Sequence, residues 1–294
     1  ALSDLPSRLV VIIDDYHLIA NDSVHRGLER LIELCPPAVQ IVIATRIDPP
    51  FRLGRFRVRG QLVEVRSADL RFNPLEAQAL LGVAGDGLGD GSLSLLCDRT
   101  EGWAAGLVLA GLSLQRTTDR VGFVEAFSGD DQLVVEYLRD ELLSGLDPAD
   151  RQRLLETSIL EQLSGPLVDA VTNSTGGTAW LRQTAAANQL LIVLDRSWFR
   201  YHHLLRDLLR SEAEEALHGQ LVELHIRAAS WFEAEEDLGQ AISHRLAAGD
   251  RLAAANLLLV AVGTTPGAAA ELSFVPLGLS TAVAPNSPAI MKLK

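Results

Sequence analysis

A short apolar run close to the first residue places the tightest constraint on the fold. Leu9–Ile13 (LVVII) is mostly β-branched, lacks polar alternation and is followed by two aspartates. This pattern is typical of a strand buried on both faces of a parallel sheet. A similar run covers residues 39–44, and Ser23–Leu34 between them has the spacing of an amphipathic helix that ends before two prolines. Because parallel strands need a crossover connection, the sequence predicts a strand–helix–strand unit.

The sheet is expected to continue beyond these two strands. A third strand is predicted at Gln61–Val65, and Asn73-Pro74 then supplies an N-cap and a proline in the first helical turn. Three strands make up only part of an α/β sheet, so we expect the missing strands to precede residue 1.

After residue 73 the pattern becomes helical and then changes to a hairpin. The Gly- and Asp-rich stretch 81–92 indicates a loop, and Asp131–Leu146 indicates an amphipathic helix. Leu190–Leu194 and Trp198–Tyr201 flank a three-residue turn, as in a β-hairpin, and a helix follows at 202–217. Helices followed by a hairpin and a further helix predict a winged-helix domain.

Residues 221–259 contain two further helical patterns separated by Asp237-Leu238-Gly239. They resemble the first helix pair of a tetratricopeptide-like solenoid, and one pair cannot bury its own apolar faces. From Gly263 onward charge nearly vanishes, the helical period is lost, and the only lysines and the only methionine appear. We interpret 261–294 as a tail foreign to the preceding fold, with an unusual native loop as the alternative.

The overall composition disfavours several classes of protein. A net charge of -12 and a pI near 5.0 argue against broad nucleic-acid binding, so the basic stretch 52–59 is interpreted as a solvated face. The sequence lacks an apolar window of about 18 residues and a signal-peptide pattern, which predicts a cytoplasmic protein with no membrane contact. Cys35 and Cys97 have no CxxC spacing and are expected to be buried, reduced thiols.

Polar residues with possible chemistry follow both predicted strands. Asp14 and Asp15 end the first strand, and Arg46 follows the second. The carboxyl ends of parallel strands meet at one edge, where one carboxylate can hold Mg²⁺, the other can orient water, and an arginine can contact a γ-phosphate. Each residue alone also fits an ordinary role as a strand-end turn former or a surface charge.

Six segments, in order and with consistent spacing between about residue 8 and about residue 259, resemble one family. They are VIIDDYHLI, ATRIDPPFRLGRFRVRGQLVEVRSADLRF, RTEGWAAGL, DQLVVEYLRDELL, LLETSILEQLSGPLVDAV and FRYHHLLRDLLR. The family is that of the ATP-dependent LuxR-type transcriptional regulators related to the maltose-regulon activator, in the STAND class of P-loop NTPases.

The resemblance implies roles for residues of this chain. Asp14 would ligate Mg²⁺ and Asp15 would be the second acid of the Walker B motif, while Arg46 would be the sensor arginine. His202, in the Tyr-His-His motif of the winged helix, would contact the phosphates of bound ADP. A histidine packed at a strand-to-helix junction is the alternative for His202. Gly102-Trp103-Ala104 lacks the proline of the Gly-x-Pro turn that contacts adenine elsewhere in the class, so that contact is not carried over.

The chain departs from the family at the phosphate-binding loop. A Walker A motif needs a glycine-rich turn with a lysine and a Ser or Thr, and the only lysines here are Lys292 and Lys294. We therefore expect no tightly bound cofactor, although complete relatives use ATP and ADP with Mg²⁺. We also expect no ATPase activity, so this chain is not predicted to be an enzyme.

The predicted fold class is mixed and mainly α, with a partial parallel α/β sheet of P-loop NTPase type, a helical segment, a winged helix and the start of a tetratricopeptide-like solenoid. The predicted domains are 1–72, 73–130, 131–217, 218–260 and the tail 261–294. The predicted function is the ATP/ADP switch region of a transcription regulator. Complete relatives would bind an inducer, self-associate and contact DNA through a C-terminal helix-turn-helix absent here. The alternative is a helical protein–protein interaction module with a decayed nucleotide site.

Overall fold

The computed structural model describes residues 8–187 and 191–263, which form two compact units that meet in sequence at Leu221 and Val222. The described helices are α1 Asp22–Leu34, α2 Leu53–Val58, α3 Pro74–Leu81, α4 Asp90–Thr100, α5 Ala104–Leu114, α6 Arg120–Ala126, α7 Gln132–Leu138, α8 Pro148–Thr157, α9 Gly165–Thr172, α10 Gly177–Ala187, α11 His203–Ala216, α12 Leu221–Ala234, α13 Leu238–Ala247 and α14 Arg251–Gly263. The described strands are β1 Leu9–Ile13, β2 Val39–Ile43, β3 Leu163–Ser164, β4 Leu191–Val193 and β5 Trp198–Tyr201.

The first unit begins with the predicted strand–helix–strand unit. β1 and β2 are parallel, with Leu9 opposite Val39 and Ile13 opposite Ile43, and α1 forms the crossover. α1 begins where the sequence favours it, because the side chain of Asn21 accepts a hydrogen bond from the Ser23 N–H at 2.8 Å. The described structure therefore contains the local unit that the sequence predicts.

Two expectations about this sheet are wrong for the residues described. β1 is not buried on both faces, since Val10 is 51% and Ile12 70% exposed. Gln61–Val65 forms no strand, and Val63 lies 89% exposed. The reason is common to both: in the described part of the chain this sheet holds only β1 and β2, and an apolar β-branched run forms a buried strand only when neighbours pair with it and cover it.

Three arginines of the basic stretch 52–59, which was interpreted as a solvated face, pair with acidic side chains. The ion pairs are Arg52–Glu29 at 3.1 Å, Arg55–Glu33 at 2.6 Å and Arg57–Glu64 at 2.6 Å, and Glu64 is shared with Arg66. These pairs join α1, α2 and the extended segment before Ser67. The arginines of this stretch that pair with acids are consequently not an open cationic patch.

Helices α3 to α6 form a helical segment around an apolar core that includes Leu96, Leu107 and Leu114, all fully buried. Asn73 and Glu76 form a reciprocal capping box at the start of α3, as Asn73-Pro74 indicated. The stretch 81–92 is more ordered than predicted, because it contains the 3-10 turn Gly82–Gly85 and the first residues of α4.

The helix predicted at Asp131–Leu146 is interrupted. α7 ends at Leu138 and continues as a π-helical turn over Arg139–Leu143. Such turns insert one residue into the helical register and so redirect the side chains that follow. The amphipathic pattern alone does not reveal this insertion.

Residues from about 139 onward adopt a winged-helix arrangement, as predicted. β5 lies at the centre of a three-stranded antiparallel sheet, with β3 on one side and β4 on the other. The sheet and α8 to α11 enclose a core that includes Leu160, Leu167 and Leu181, all fully buried. The Tyr201 hydroxyl is bonded to Thr157 Oγ1 at 2.7 Å, so the polar end of this buried ring is satisfied. β3 is too short for sequence patterns to predict.

The second unit contains α12, α13 and α14, where the sequence predicted two helical patterns. The second pattern is divided by a turn at Gly249, which has a φ of +80°. His225 and His244 are bonded through their Nδ1 atoms at 2.8 Å. The solenoid remains a prediction, and the predicted foreign tail falls almost entirely on residues 264–294, outside those described. No described helix is long and apolar enough to cross a membrane.

Gly129 is a position where backbone packing admits no side chain. A β-carbon there would lie 1.9 Å from the carbonyl oxygen of Leu204 in α11. We expect Gly129→Ala to lower the free energy of unfolding by about 1–3 kcal/mol through overpacking, measured by urea denaturation. Gly145→Ala is the matched control, because nothing lies within 4 Å of its β-carbon position. Equal stability of the two variants would contradict this packing.

Candidate functional site

The acids and the arginine predicted at the sheet edge do follow neighbouring strands. The Ala44 N–H donates to Ile13 O at 2.9 Å, and the Tyr16 N–H donates back to Ala44 O at 3.1 Å, so the two strand ends are aligned. Asp14 and Asp15 are both exposed, and Asp15 adopts the left-handed conformation with a φ of +49°. The backbone therefore places the predicted acids at the edge where the sequence expects them.

Below this edge, Tyr16 anchors the strand end. Its ring is 1% exposed and its hydroxyl is bonded to His25 Nδ1 at 2.7 Å. Phe51 packs against the same ring with a centroid separation of 5.5 Å. Burial raises the pKa of Tyr16, so the phenol remains neutral and holds α1 against the turn that carries the acids.

Arg46 lies at the same edge, but its side chain pairs with Glu141 and not with the two aspartates. Its Nη2 atom is 3.8 Å from Glu141 Oε2, and both side chains are about half exposed. Among the described residues neither Asp14 nor Asp15 lies within ion-pair distance of Arg46. Glu141 belongs to the π-helical turn, so this irregular turn supplies the carboxylate that faces the predicted sensor arginine.

The acids suit Mg²⁺ in chemistry, but they form only part of a site. Mg²⁺ is usually held by one or two carboxylates, with waters and substrate phosphates completing its six ligands. Asp14 Oδ1 accepts the Asp15 N–H at 2.8 Å, which leaves other carboxylate oxygens facing solvent. Within residues 8–187 and 191–263 no three metal-ligating side chains converge. Asp14 and Asp15 would thus hold Mg²⁺ only together with ligands from a bound phosphate and water.

His202 is buried between the winged helix and the helical segment. It is 4% exposed, its Nε2 lies 2.9 Å from the Thr100 carbonyl, and its Nδ1 accepts the Leu204 N–H at 3.3 Å. A carbonyl can only accept, so Nε2 carries a proton; Nδ1 accepts an N–H and therefore carries none, which makes the ring neutral. Both nitrogens are therefore occupied in this arrangement, and contact with a phosphate would require the Thr100 bond to break. The phosphate role of His202 remains a prediction.

Glu101 stands next to Thr100 and collects several donors. Arg200 reaches both of its carboxylate oxygens at 2.6 Å, the His203 N–H donates to Oε1 at 3.1 Å, and Arg71 lies 3.6 Å from Oε2. We name Glu101, Arg71, Arg200 and the His203 N–H the Glu101 cluster. It joins the turn between α4 and α5 to the last strand of the winged-helix sheet. A two-pronged arginine–carboxylate contact fixes orientation as well as distance.

The charges at this contact alter two pKa values. Burial by itself raises the pKa of Glu101, but the hydrogen bonds from Arg200 and from the His203 N–H, with nearby positive charge, lower it to about 2. Burial lowers the pKa of His202 to about 4, although Glu101 and the Thr100 carbonyl oppose this shift. At neutral pH the contact thus consists of an ionised Glu101 beside a neutral His202.

The backbone of the turn is shaped for this contact. Glu101 has a φ of +49° and Gly102 a φ of +67°, and the Phe72 N–H donates to Gly102 O at 2.8 Å. A β-carbon at Gly102 would lie 2.6 Å from Phe72 O. Trp103 then packs edge-on against His202, with ring centroids 5.8 Å apart. Gly102 therefore has a packing role that does not depend on contact with adenine.

Glu101 and Arg200 were not among the residues predicted to form a site. Both lie within segments that carry the family resemblance, RTEGWAAGL and FRYHHLLRDLLR. A weak signal existed, because Arg200 interrupts an otherwise aromatic strand and Glu101 precedes a helix-breaking glycine. Neither feature shows that the two residues, 99 positions apart, would meet.

Residues 139–221 match the family described as the MalT winged helix domain. The sheet order and the match agree that this part of the chain is a winged-helix domain, similar to that of the MalT family. The match overlaps the winged-helix domain predicted at 131–217. Arg200, His202 and His203 lie inside the matched range, whereas Glu101 lies outside it.

Over 254 residues the chain is 34% identical to the serine/threonine-protein kinase PknK of Mycobacterium tuberculosis strain ATCC 25618 / H37Rv. The same identity is found with PknK of Mycobacterium bovis strain ATCC BAA-935 / AF2122/97. The similar region covers 85% of this chain but 23% of each relative. The chain thus spans less than a quarter of the length of these curated relatives.

One solved structure is similar over 86% of this chain and 35% of its own, at 18% identity and a TM-score of 0.38. It is a Signal Transduction ATPase with Numerous Domains (STAND) protein with a tetratricopeptide repeat sensor, from Pyrococcus horikoshii. A TM-score this low does not define a shared overall fold.

The lowered pKa of His202 makes stability depend on pH. Between pH 6.5 and 4 the unfolded chain binds a proton at His202 that the folded chain excludes, so the free energy of unfolding falls as the pH falls. A shift from 6.5 to about 4 corresponds to about 3 kcal/mol. We expect His202→Asn to remove a loss of about this size between pH 6.5 and 4, measured by urea denaturation at several pH values.

The control for this experiment is His218→Asn, which changes an exposed histidine. It should keep the pH dependence of the unsubstituted chain. If the His202 and His218 variants lose stability with pH in parallel, His202 is not buried in its neutral form.

Proposed function

We propose that this chain is the central part of a regulatory switch protein of the STAND class, in which the winged helix rests on the helical segment in a closed state. The observation that carries the proposal is the contact of Arg200, His202 and His203 with Thr100 and Glu101. In that contact the predicted phosphate-sensing histidine is bonded to the Thr100 carbonyl instead of to a ligand. The match of residues 139–221 to the MalT winged helix domain supports the same reading.

In this proposal the strand-end acids and Arg46 belong to the nucleotide-responsive side of the switch. Asp14 would help to hold Mg²⁺, Asp15 would be the second acid, and Arg46 would respond to the γ-phosphate. The pairing of Arg46 with Glu141 fits a closed state, because an arginine engaged with a carboxylate is not free to bind phosphate. Exchange of ADP for ATP would then favour release of the winged helix, self-association and transcription activation through a separate DNA-binding part.

The curated relatives reported above are named as kinases, so a kinase activity of the shared region has to be considered. The chain contains neither the His-Arg-Asp nor the Asp-Phe-Gly motif of protein kinases. We therefore propose that the segment shared with PknK is regulatory and does not transfer phosphate. The activity that it controls would be carried by other parts of each protein.

A helical interaction module with a decayed nucleotide site is the second candidate. It is favoured by the contrast between the exposed β1–β2 sheet and the buried core of the winged helix. Hydrogen exchange distinguishes the two candidates: protection of residues 130–250 with free exchange over residues 8–70 favours the module. Protection across both regions favours the switch.

Nucleotide binding tests the proposed switch directly. Isothermal titration calorimetry of this chain with Mg²⁺ and ATP or ADP should detect no binding tighter than a dissociation constant of about 1 mM, because no lysine precedes residue 292. The complete protein encoded by the gene should bind both nucleotides, and Asp14→Asn should remove the Mg²⁺ dependence of binding.

The control in the complete protein is Asp22→Asn, which changes an exposed acid in the first turn of α1 that is assigned no role in Mg²⁺ binding. It should leave binding and its Mg²⁺ dependence unchanged. Micromolar, Mg²⁺-dependent ATP binding by the present chain would refute the proposal that it lacks a working phosphate-binding loop. Absence of binding by the complete protein would refute the switch itself.

A further inference from the structure

Two buried glutamates of the first unit are each paired with two arginines. Glu101, 6% exposed in its side chain, pairs with Arg71 and Arg200; Glu212, 7% exposed, pairs with Arg139 at 2.7 Å and Arg151 at 3.1 Å. Glu212 and both of its partners lie within the matched winged helix, at residues 139–221. Glu101 lies outside that range but pairs with Arg200 inside it. Of these two clusters, only the Glu101 cluster joins two parts of the unit.

The energetics of such a contact differ from those of an apolar interface. Removing two charges from water costs about as much as their attraction returns, so a buried ion pair adds little net stability. Loss of one partner, however, leaves a buried charge without compensation and is strongly unfavourable. A contact of this kind therefore specifies one closed geometry. Separation of the winged helix from the helical segment costs little, because the carboxylate and the arginine both become hydrated again.

Local backbone strain lies at the same point. Glu101 is not a glycine, yet it has a φ of +49°, which is uncommon for such residues and is retained only where surrounding contacts enforce it. Backbone bonds from the Gly102 N–H to Cys97 O at 2.9 Å and from the Phe72 N–H to Gly102 O at 2.8 Å hold the turn itself. The His203 N–H and the two nitrogens of Arg200 hold the Glu101 side chain. Loss of the side-chain contacts removes one of these two restraints on the turn between α4 and α5.

The same movement would uncover the histidines. Thr100 O holds His202 Nε2, and Glu101 Oε1 holds the N–H of His203 and lies 3.7 Å from its Nδ1. Residues 100 and 101 thus hold both histidines of the Tyr-His-His motif. Separation at the Glu101 cluster would free Nε2 of His202, while Nδ1 would keep its bond to the Leu204 N–H, and it would expose His203 further.

We propose that the Glu101 cluster is a releasable latch that keeps the winged helix closed on the helical segment. The latch is a property of the folded chain, and its use to control access to the histidines rests on the proposed function. Glu101 acts here as a positioning residue, since it holds Arg200 and His203 and is assigned no contact with a ligand.

The test is hydrogen–deuterium exchange with mass spectrometry on this chain without nucleotide, comparing Glu101→Gln with Glu212→Gln. Glutamine keeps the size of the side chain and removes its charge. We expect Glu101→Gln to raise exchange about tenfold in peptides covering 97–104 and 198–206, which report local opening, and to leave α9 and α10 unchanged. Glu212→Gln should act around α8 and the C-terminal half of α11 and leave 97–104 protected.

A double-mutant cycle shows whether the pair acts as a unit. If Glu101 and Arg200 form the latch, Glu101→Gln combined with Arg200→Gln should open 97–104 no more than either change alone. Additive effects, unchanged exchange in Glu101→Gln, or the same exchange pattern in the Glu101 and Glu212 variants would overturn the proposal.

A milder variant covers the case in which Glu101→Gln does not fold. Arg200→Lys keeps the charge but cannot form the two-pronged contact, so it should raise exchange in the same peptides by a smaller factor, about threefold. No change in the lysine variant would then overturn the latch. Because nucleotide is absent throughout, failure of the latch and failure of nucleotide binding are separate results.

Discussion

The carboxylate of Glu101 is buried where the turn between α4 and α5 meets β5 and the start of α11. A buried charge must be paired and hydrogen-bonded, and here the partners come from distant parts of the sequence, at Arg71 and Arg200. Several other contacts between distant segments lie at the same point. Thr100 presents its carbonyl to His202, Gly102 packs on Phe72, and Trp103 contacts His202.

The sheet edge is held together differently. Arg46 and Glu141 are both half exposed and 3.8 Å apart, and solvent-exposed pairs of this kind contribute little to stability. The ion pairs of Arg52, Arg55 and Arg57 with their acids likewise lie near solvent. The first strands thus depend on Tyr16, His25 and Phe51 for a small buried contact. The winged helix, by contrast, packs around a fully buried apolar core.

Particular elements show where sequence patterns succeed. The hairpin of β4 and β5, the crossover α1 and the capped start of α3 follow from local signals: a short turn, a 3.6-residue period and an Asn-Pro cap. Patterns fail where the outcome depends on neighbours. Gln61–Val65 has the composition of a strand, but none of the strands described pairs with it. The π-helical turn at Arg139–Leu143 shifts a register that periodicity treats as continuous.

In the candidate site, too, the sequence predicts some features and not others. Asp14, Asp15 and Arg46 could be placed at one edge because parallel strands end together, and the structure places their backbone there. The side-chain partners could not be predicted, since Glu141 reaches Arg46 from a turn almost a hundred residues away. His202 was open to two roles from sequence, and in this structure both of its nitrogens bond to backbone groups.

The sequence by itself determined the order of the parts: a strand–helix–strand unit ending in two acids, a helical segment, and a winged helix with paired histidines. It also determined that no lysine could serve a phosphate-binding loop before residue 292. Only the tertiary structure decided that Glu101 and Arg200 meet, that His202 is neutral and buried, and that β1 remains exposed. The physical reason is that local patterns fix hydrogen bonds within one element. Burial of a charge and the pairing of residues 99 positions apart depend on how the elements pack.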